Sequence, residues 1–324
     1  MIARRALLAA LAAPALAFAA AQPAAPQSYP DKPVKIIVAV AAGGPMDTMA
    51  RAVAQQMQMR LGQPVVVENR TGAGTTIGAK AVVTAEPDGY TLLWGTLSMV
   101  AIAPVLYKDL DFDPNTLVPV ALVAEFPSLL VIPPSLPVRT VAEFIAYAKA
   151  NRGKINYGGS LGTPPMLMGM QFNKMADLGM TYVPYRGGAP SMPDLIAGRL
   201  HMQFDALTLL VPLVKEGKLR ALAVQGAARW PDLPDVPTLR EVGFSDFPGN
   251  AWAGIMAPPK TPQHIVSKVN ATVNEILTSA EAKASLAKLN VLLRPGSPQD
   301  FVAFIKSDTP KWSAMVRESG ATAQ

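Results

Sequence analysis

Cysteine is absent from the 324 residues, and histidine occurs only twice, as His201 and His264. The first absence removes disulfides, thiol catalysis and thiolate metal sites. The second leaves too few ligands for a multi-histidine metal centre, so no metal and no cofactor is expected. Charge is sparse: 16% of residues are Asp, Glu, Lys or Arg, with a formal excess of +6. The Lys and Arg residues are scattered, which argues against a nucleic-acid surface. Long apolar runs are also missing beyond the first residues, although hydrophobic residues make up 50% of the chain. Valines, leucines and alanines come in short stretches broken by Pro and Gly, none of them long enough to cross a bilayer.

The first residues form a separate unit. Arg4 and Arg5 precede the apolar stretch from Ala6 to Ala20, interrupted only by Pro14. Ala19-Ala20-Ala21 is a small-residue cleavage site, with Ala17-Phe18-Ala19 fitting nearly as well. Residues 1–21 therefore read as a secretory signal peptide. The stretch is shorter than the roughly 20 residues a spanning helix needs. The remaining chain of about 300 residues suits two domains whose cores must stabilise the fold without disulfides.

Strand-like runs alternate with helical patterns, predicting an α/β fold with largely parallel sheets. In the first such unit, Val34, Ile36, Ile37, Val38 and Val40 make a short apolar run. Ala41-Ala42-Gly43-Gly44-Pro45-Met46-Asp47-Thr48 turns the chain, and Met49, Val53, Met57 and Leu61 come next as one face of a helix. The turn carries no cation. Its glycines let a small ligand approach the backbone, and the helix start aims free N–H groups at it. Diluted versions recur at later strand ends: Gly95-Thr96 with Ser98, Ser160-Leu161-Gly162-Thr163, and Tyr185-Arg186-Gly187-Gly188. Val118–Ala124 and Ser128–Ile132 flank Phe126-Pro127, a candidate crossing between lobes. Thr140 and Glu143 form a capping-box pattern. Thr261-Pro262 and Ser297-Pro298 each read as an N-cap and first helical position.

Several patterns imitate catalytic or metal sites. Gly158-Gly159-Ser160-Leu161-Gly162 matches the G-x-S-x-G nucleophile elbow, and Asp235 or Asp246 and then His264 come later in triad order. However, Pro164-Pro165 would fall in the first turns of the elbow helix, where rings and missing N–H groups are unfavourable. A Gly/Ser turn presenting N–H groups and a hydroxyl is the preferred reading. Gly72-Ala73-Gly74-Thr75-Thr76-Ile77-Gly78 resembles a dinucleotide fingerprint with one residue too many and no acidic partner, so it reads as a loop leading into a helix near the site. Asp109-Leu110-Asp111-Phe112-Asp113-Pro114 imitates a calcium loop, but Pro114 and Val120 stand where Gly and Glu are needed. Arg186 is the one cation at a strand-end glycine turn and can pair bidentately with a carboxylate. Asp205 ends a strand at a ligand-binding position of open α/β sheets, or else caps the helix near Thr208.

Taken together, the chain resembles the Bug family, the periplasmic substrate-binding proteins of tripartite tricarboxylate transporters. The resemblance is carried by Tyr29-Pro30-Asp31-Lys32-Pro33, Val38–Asp47, Leu61–Arg70, Pro87–Leu93, Val183–Gly187, Gly217–Val224, Leu233–Thr238 and Trp252–Pro258. It implies a two-lobe periplasmic binding protein type II (Venus-flytrap) fold, an exported monomer without catalytic residues, and a ligand enclosed between lobes. Lobe 1 would comprise residues 28–126 and 250–324, and lobe 2 residues 127–249. By position, Gly43, Gly44, Met46, Asp47, Thr96 and Ser98 would contact the ligand from lobe 1. Ser160, Gly162, Thr163, Arg186, Gly187 and Asp205 would do so from lobe 2. The implied role is capture of a small carboxylate (a di- or tricarboxylate, aromatic acid or amino acid) and its delivery to membrane permease subunits. The alternatives are a secreted hydrolase using Ser160 and a ligand sensor without transport. Met166 stands where the family commonly has histidine, Gly74-Thr75-Thr76 replaces an expected glycine pair, and Arg186 is often lysine in relatives.

Overall fold

The computed structural model describes residues 29–107, 110–245, 247 and 249–321. The signal segment, Asp109 and Asp246 lie outside the described residues. Eleven strands are described: β1 (Val34–Val38), β2 (Val65–Asn69), β3 (Thr91–Thr96), β4 (Val118–Phe126), β5 (Ser128–Ile132), β6 (Asn156–Ser160), β7 (Thr181–Tyr185), β8 (Gln203–Ala206), β9 (Arg220–Val224), β10 (Ala251–Ala257) and β11 (Leu292–Leu293). The α-helices are α1 (Pro45–Leu61), α2 (Thr76–Val83), α3 (Ala103–Leu106), α4 (Val141–Ala150), α5 (Pro164–Ala176), α6 (Gly188–Ile196), α7 (Leu207–Lys215), α8 (Gln263–Thr278), α9 (Ala280–Ala287) and α10 (Pro298–Ser319).

The strands form two groups. One sheet has the order β11-β4-β10-β3-β1-β2. The other group joins β8-β5-β9 to the pair β6-β7 through a parallel bridge between Tyr157 and Met202, giving β7-β6-β8-β5-β9. Both share one plan. In each, the second, first and third parallel strands are followed by a reversed strand and then the fourth. The reversed strand is β10 in the first group and β5 in the second. The expectation of largely parallel sheets holds for four strands of each group, while β5, β10 and the short β11 run the other way. Two lobes joined by crossings need a strand that runs back beside its neighbours, and alternation of strand and helix patterns does not reveal which strand that is.

These reversed strands also set which edges face each other. Strand β4 leaves the carboxyl edge of the first sheet at Phe126, and after Pro127 alone the chain enters β5 at Ser128. There β5 pairs antiparallel with β8, Ser128 opposite Ala206, so it starts at the carboxyl edge of the second group. A single residue therefore separates the two carboxyl edges at the crossing. The return crossing runs from β9 to β10, where the Gln225 side-chain amide donates to Gly249 O at 2.6 Å and Ala251 pairs with Phe126.

Local sequence explains the elements. In α1, Pro45 sits at the first turn, Met49, Val53 and Met57 are buried, and Gly62 closes the helix with φ 70°. The stripe of α8, Ile265, Val269, Val273 and Leu277, is buried as its spacing predicts. Ser297 and Asp300 make a reciprocal capping box that opens the 22-residue α10. Thr261, in contrast, does not cap α8: its hydroxyl donates to Pro258 O, and the helix begins at Gln263. One hydrophobic cluster runs through both strand groups, from Trp94 and Trp252 to Phe144, Phe172 and Phe204, with Trp312 of α10 inside it.

Candidate functional site

All twelve residues expected to hold a ligand lie at or just beyond the carboxyl ends of parallel strands. Gly43, Gly44, Met46 and Asp47 come after β1; Thr96 ends β3 and Ser98 lies just past it. Ser160 ends β6, with Gly162 and Thr163 just beyond; Arg186 and Gly187 come after β7; Asp205 is the penultimate residue of β8. Strand register explains the neighbourhoods. Val38 pairs with Trp94, so the turns after β1 and β3 lie side by side, and Ser160 pairs with Tyr185, which brings Arg186 next to the Ser160 turn. Across the crossing, the Gly162 turn sits against Leu106 of α3, from which a β-carbon at Gly162 would be 3.1 Å. In open α/β sheets this edge is where ligands bind.

Helix caps divide by location. The helices that start at these carboxyl ends, α1, α2, α5, α6 and α7, have no side-chain cap on their first N–H groups. Away from that edge, Thr140 caps α4, Ser297 caps α10 and Asp113 caps the 3-10 turn Pro114–Thr116. Helix α8 is the exception, starting uncapped after β10 at the opposite edge. Each uncapped start carries roughly half a positive charge and first-turn N–H groups that no side chain takes up, and such a start is a place for an anion. These groups are fewest in α5, where Pro164 and Pro165 have none, and in α7, where Leu207 N donates to Pro127 O.

The ionisable groups play different parts. Asp47 is buried and spent on its own turn, accepting from Gly43 N and Arg51 Nε at 2.9 Å each and from Asn69 Nδ2 at 2.8 Å. Burial by itself would raise this carboxyl, but the Arg51, Gly43 and Asn69 hydrogen bonds hold it below the usual range. Asp47 therefore shapes the glycine turn. Arg186 is exposed, and no described residue pairs with it. Asp205 is 7% exposed and accepts from Ala206 N at 2.8 Å and Gln203 Nε2 at 3.0 Å. Burial pushes its carboxyl up to about 6, against the lowering effect of those two donors. It does not cap a helix: α7 begins at Leu207 with Ala206 at its uncapped N-cap position. Gly188 packs onto this carboxyl so closely that a β-carbon there would overlap it.

Ser160 is not arranged as a nucleophile. Strand β6 ends at Ser160 and α5 begins only at Pro164, while the Thr163 hydroxyl donates to Ser160 O at 2.6 Å. His264 is exposed near the start of α8, at the amino edge of the other sheet. Asp113 caps its own turn and Asp111 pairs with Lys80, so neither belongs to a calcium loop. Among the described residues, no group of three or more His, Asp or Glu side chains is placed to hold a metal ion.

Two positions escaped the sequence reading. Gln203 is fully buried behind Asp205, and its Oε1 has no hydrogen-bond partner. A signal existed, since polar residues two apart on a strand share a face. Thr75, within the loop read as leading into a helix near the site, combines φ 84° with a buried hydroxyl lacking a partner; the signal was the glycine pair that the family resemblance leads one to expect here. Two grooves also lie elsewhere. One of about 460 Å³ runs between α10 and the Pro114–Pro119 segment, and one of about 210 Å³ between α5 and α10. None of the twelve expected residues lines either.

Known proteins share this fold. The profile of the tripartite tricarboxylate transporter family receptor matches residues 49–321. The periplasmic binding protein BugD is 33% identical, over 91% of this chain and all of that one, with a TM-score of 0.83. The R. palustris protein Rpa4515, solved with adipate, is 35% identical over 90% of this chain and 98% of its own, with a TM-score of 0.85. MatC from Rhodopseudomonas palustris, solved with bound malate, is 33% identical over 89% of this chain and 100% of its own, with a TM-score of 0.81.

Proposed function

Because the chain belongs to the tripartite tricarboxylate transporter receptor family, we propose that it is an exported periplasmic solute-binding protein that captures a small organic acid for membrane permease subunits. Its fold is that of the two-lobe periplasmic binding proteins, and structural neighbours hold adipate and malate. The observation that carries the reading is the concentration of five uncapped helix starts along the two carboxyl edges. A carboxylate closed in between these edges exchanges water for fixed backbone N–H groups and the positive ends of helix dipoles. Each dipole contributes about 0.3–1 kcal/mol. Residues 28–126 with 250–324 form one jaw and 127–249 the other, moving about the crossings at Pro127 and before Ala251. Gly43, Gly44, Thr96 and Ser98 act from the first jaw. Ser160, Gly162, Thr163 and Gly187 act from the second, with Arg186 engaging a second acidic group.

The test is a thermal-shift screen of the protein from residue 22 onward, unfolded and refolded to strip any carried-over ligand. The panel spans mono-, di- and tricarboxylates, aromatic acids and amino acids. A ligand at about 100 times its Kd adds roughly 2.7 kcal/mol, a rise of several degrees in Tm. A clear rise with an organic acid is expected. A flat panel on folded protein overturns the carboxylate reading, and ester hydrolysis that depends on Ser160 would replace it with an enzymatic one.

A further inference from the structure

The turn Ala73–Thr75 between β2 and α2 is not among the twelve expected residues, yet it lies at the same edge. It packs against the Ser98–Ile102 turn that comes after Thr96. Gly74, with φ 59°, lies over Tyr107, where a β-carbon would be 2.5 Å from the tyrosine hydroxyl. One helical turn on, Gly78 is pressed against Ala39, just beyond β1, and Arg70 O. The start of α2 is thus wedged between the chain leaving β1 and the chain leaving β3.

Within this wedge Thr75 is anomalous in two independent ways. It holds φ 84°, a region that a β-branched residue occupies only when its surroundings force it. Its hydroxyl is buried and without a partner among the described residues, although it stands at the N-cap position where a threonine ordinarily accepts from the first turn. The positive φ turns the side chain away from that role. The Thr96 hydroxyl, at the end of β3, is likewise buried and unpartnered. Buried hydroxyls are nearly always hydrogen-bonded, so one at an uncapped helix start and another at the strand end leading into the turn packed against it call for an oxygen-rich partner.

Resting on the carboxylate reading, we propose that Thr75 is a ligand-contacting, specificity-determining residue whose hydroxyl donates to an oxygen of the bound acid at the start of α2, alongside that of Thr96. Three substitutions separate the hydroxyl from the backbone strain. Thr75→Val keeps the β-branched shape and loses the donor. Thr75→Ser keeps the donor, and Thr75→Gly loses the donor while relieving the strain. Titration calorimetry uses whichever acid of the panel gives the largest Tm rise with the unmodified protein. Thr75→Val and Thr75→Gly are expected to raise Kd at least tenfold, with Thr75→Ser within threefold of the unmodified protein. The ligand-free Tm of Thr75→Gly should rise even as its affinity falls, which a purely structural role does not produce. An unchanged Kd in Thr75→Val, with the acid still bound, overturns the proposal and leaves the carboxylate reading standing. If no acid binds the unmodified protein, both fall.

Discussion

At the scale of single residues, two buried aspartates at the same kind of strand end have opposite fates. Asp47 is surrounded by donors and remains ionised within its own turn. Asp205 has two donors and no cation, and burial raises its carboxyl to about 6. For an acid whose folded value lies above its unfolded value near 3.8, the folded protein holds the proton more tightly. The associated stability is present below the unfolded value and is lost as pH rises through about 6. Asp205→Asn should therefore be more stable than the unmodified protein above pH 6, by about 2–3 kcal/mol, with the gap closing towards pH 4. Urea unfolding of both proteins across that range checks it, and a pH-independent gap would remove Asp205 as the cause. The sequence placed Asp205 at a strand end correctly but left open whether it caps a helix. That depended on where α7 begins.

At the scale of elements, the helices show how capping and binding compete. Gly44 sits at the N-cap of α1 with φ −80° and ψ 171°, the extended geometry that a capping side chain uses, and a β-carbon there meets only Ala41 O at 3.8 Å. Gly44→Asp should therefore fold normally and cap α1, stabilising the ligand-free protein by a few tenths of a kcal/mol to about 1. The same carboxylate would occupy the donors meant for an anionic ligand, so affinity for the panel's best acid should fall at least tenfold. Denaturation and titration calorimetry read the two effects separately; a gain in stability without loss of affinity would remove the α1 start from the binding surface. Capping was legible at Thr140 and Ser297, but the Asp113 cap was not read and Thr261 was read as a cap it does not form. At the carboxyl edges the informative feature is a cap that is missing, and only the assembled strand order shows that these starts share one side.

For the whole molecule, the lobes are distinct in their strands but share most of their core, a smaller cluster around Leu129, Val131, Leu195, Leu207 and Leu210 belonging to the second lobe alone. One hydrophobic cluster joins Trp94, Trp252 and Trp312 to Phe144, Phe172 and Phe204, and α10 packs along both β4 and α5. Shared packing of this kind couples the halves, so thermal unfolding should be one cooperative transition with matching calorimetric and van't Hoff enthalpies. Two resolved transitions in scanning calorimetry would show that the lobes unfold independently. The exposed Lys174–Glu318 pair between α5 and α10 adds little to this coupling, because solvent screens it.

Most of the order of strands and helices, the apolar stripes and the glycine turns were fixed locally by short-range patterning, while the family showed as a resemblance along the chain and α9 and β11 went unread. Hydrophobic period, cap chemistry and turn residues act within a few positions of themselves, so they can be read one segment at a time. The reversal of β5 and β10, the facing of the two carboxyl edges, the solitude of the Asp205 carboxyl and the forced backbone of Thr75 were decided only on folding. Each depends on groups far apart in the chain: Ser128 against Ala206, Phe126 against Ala251, Gly188 against Asp205, Gly74 against Tyr107. Desolvation and close packing arise from such encounters, and no local pattern encodes them.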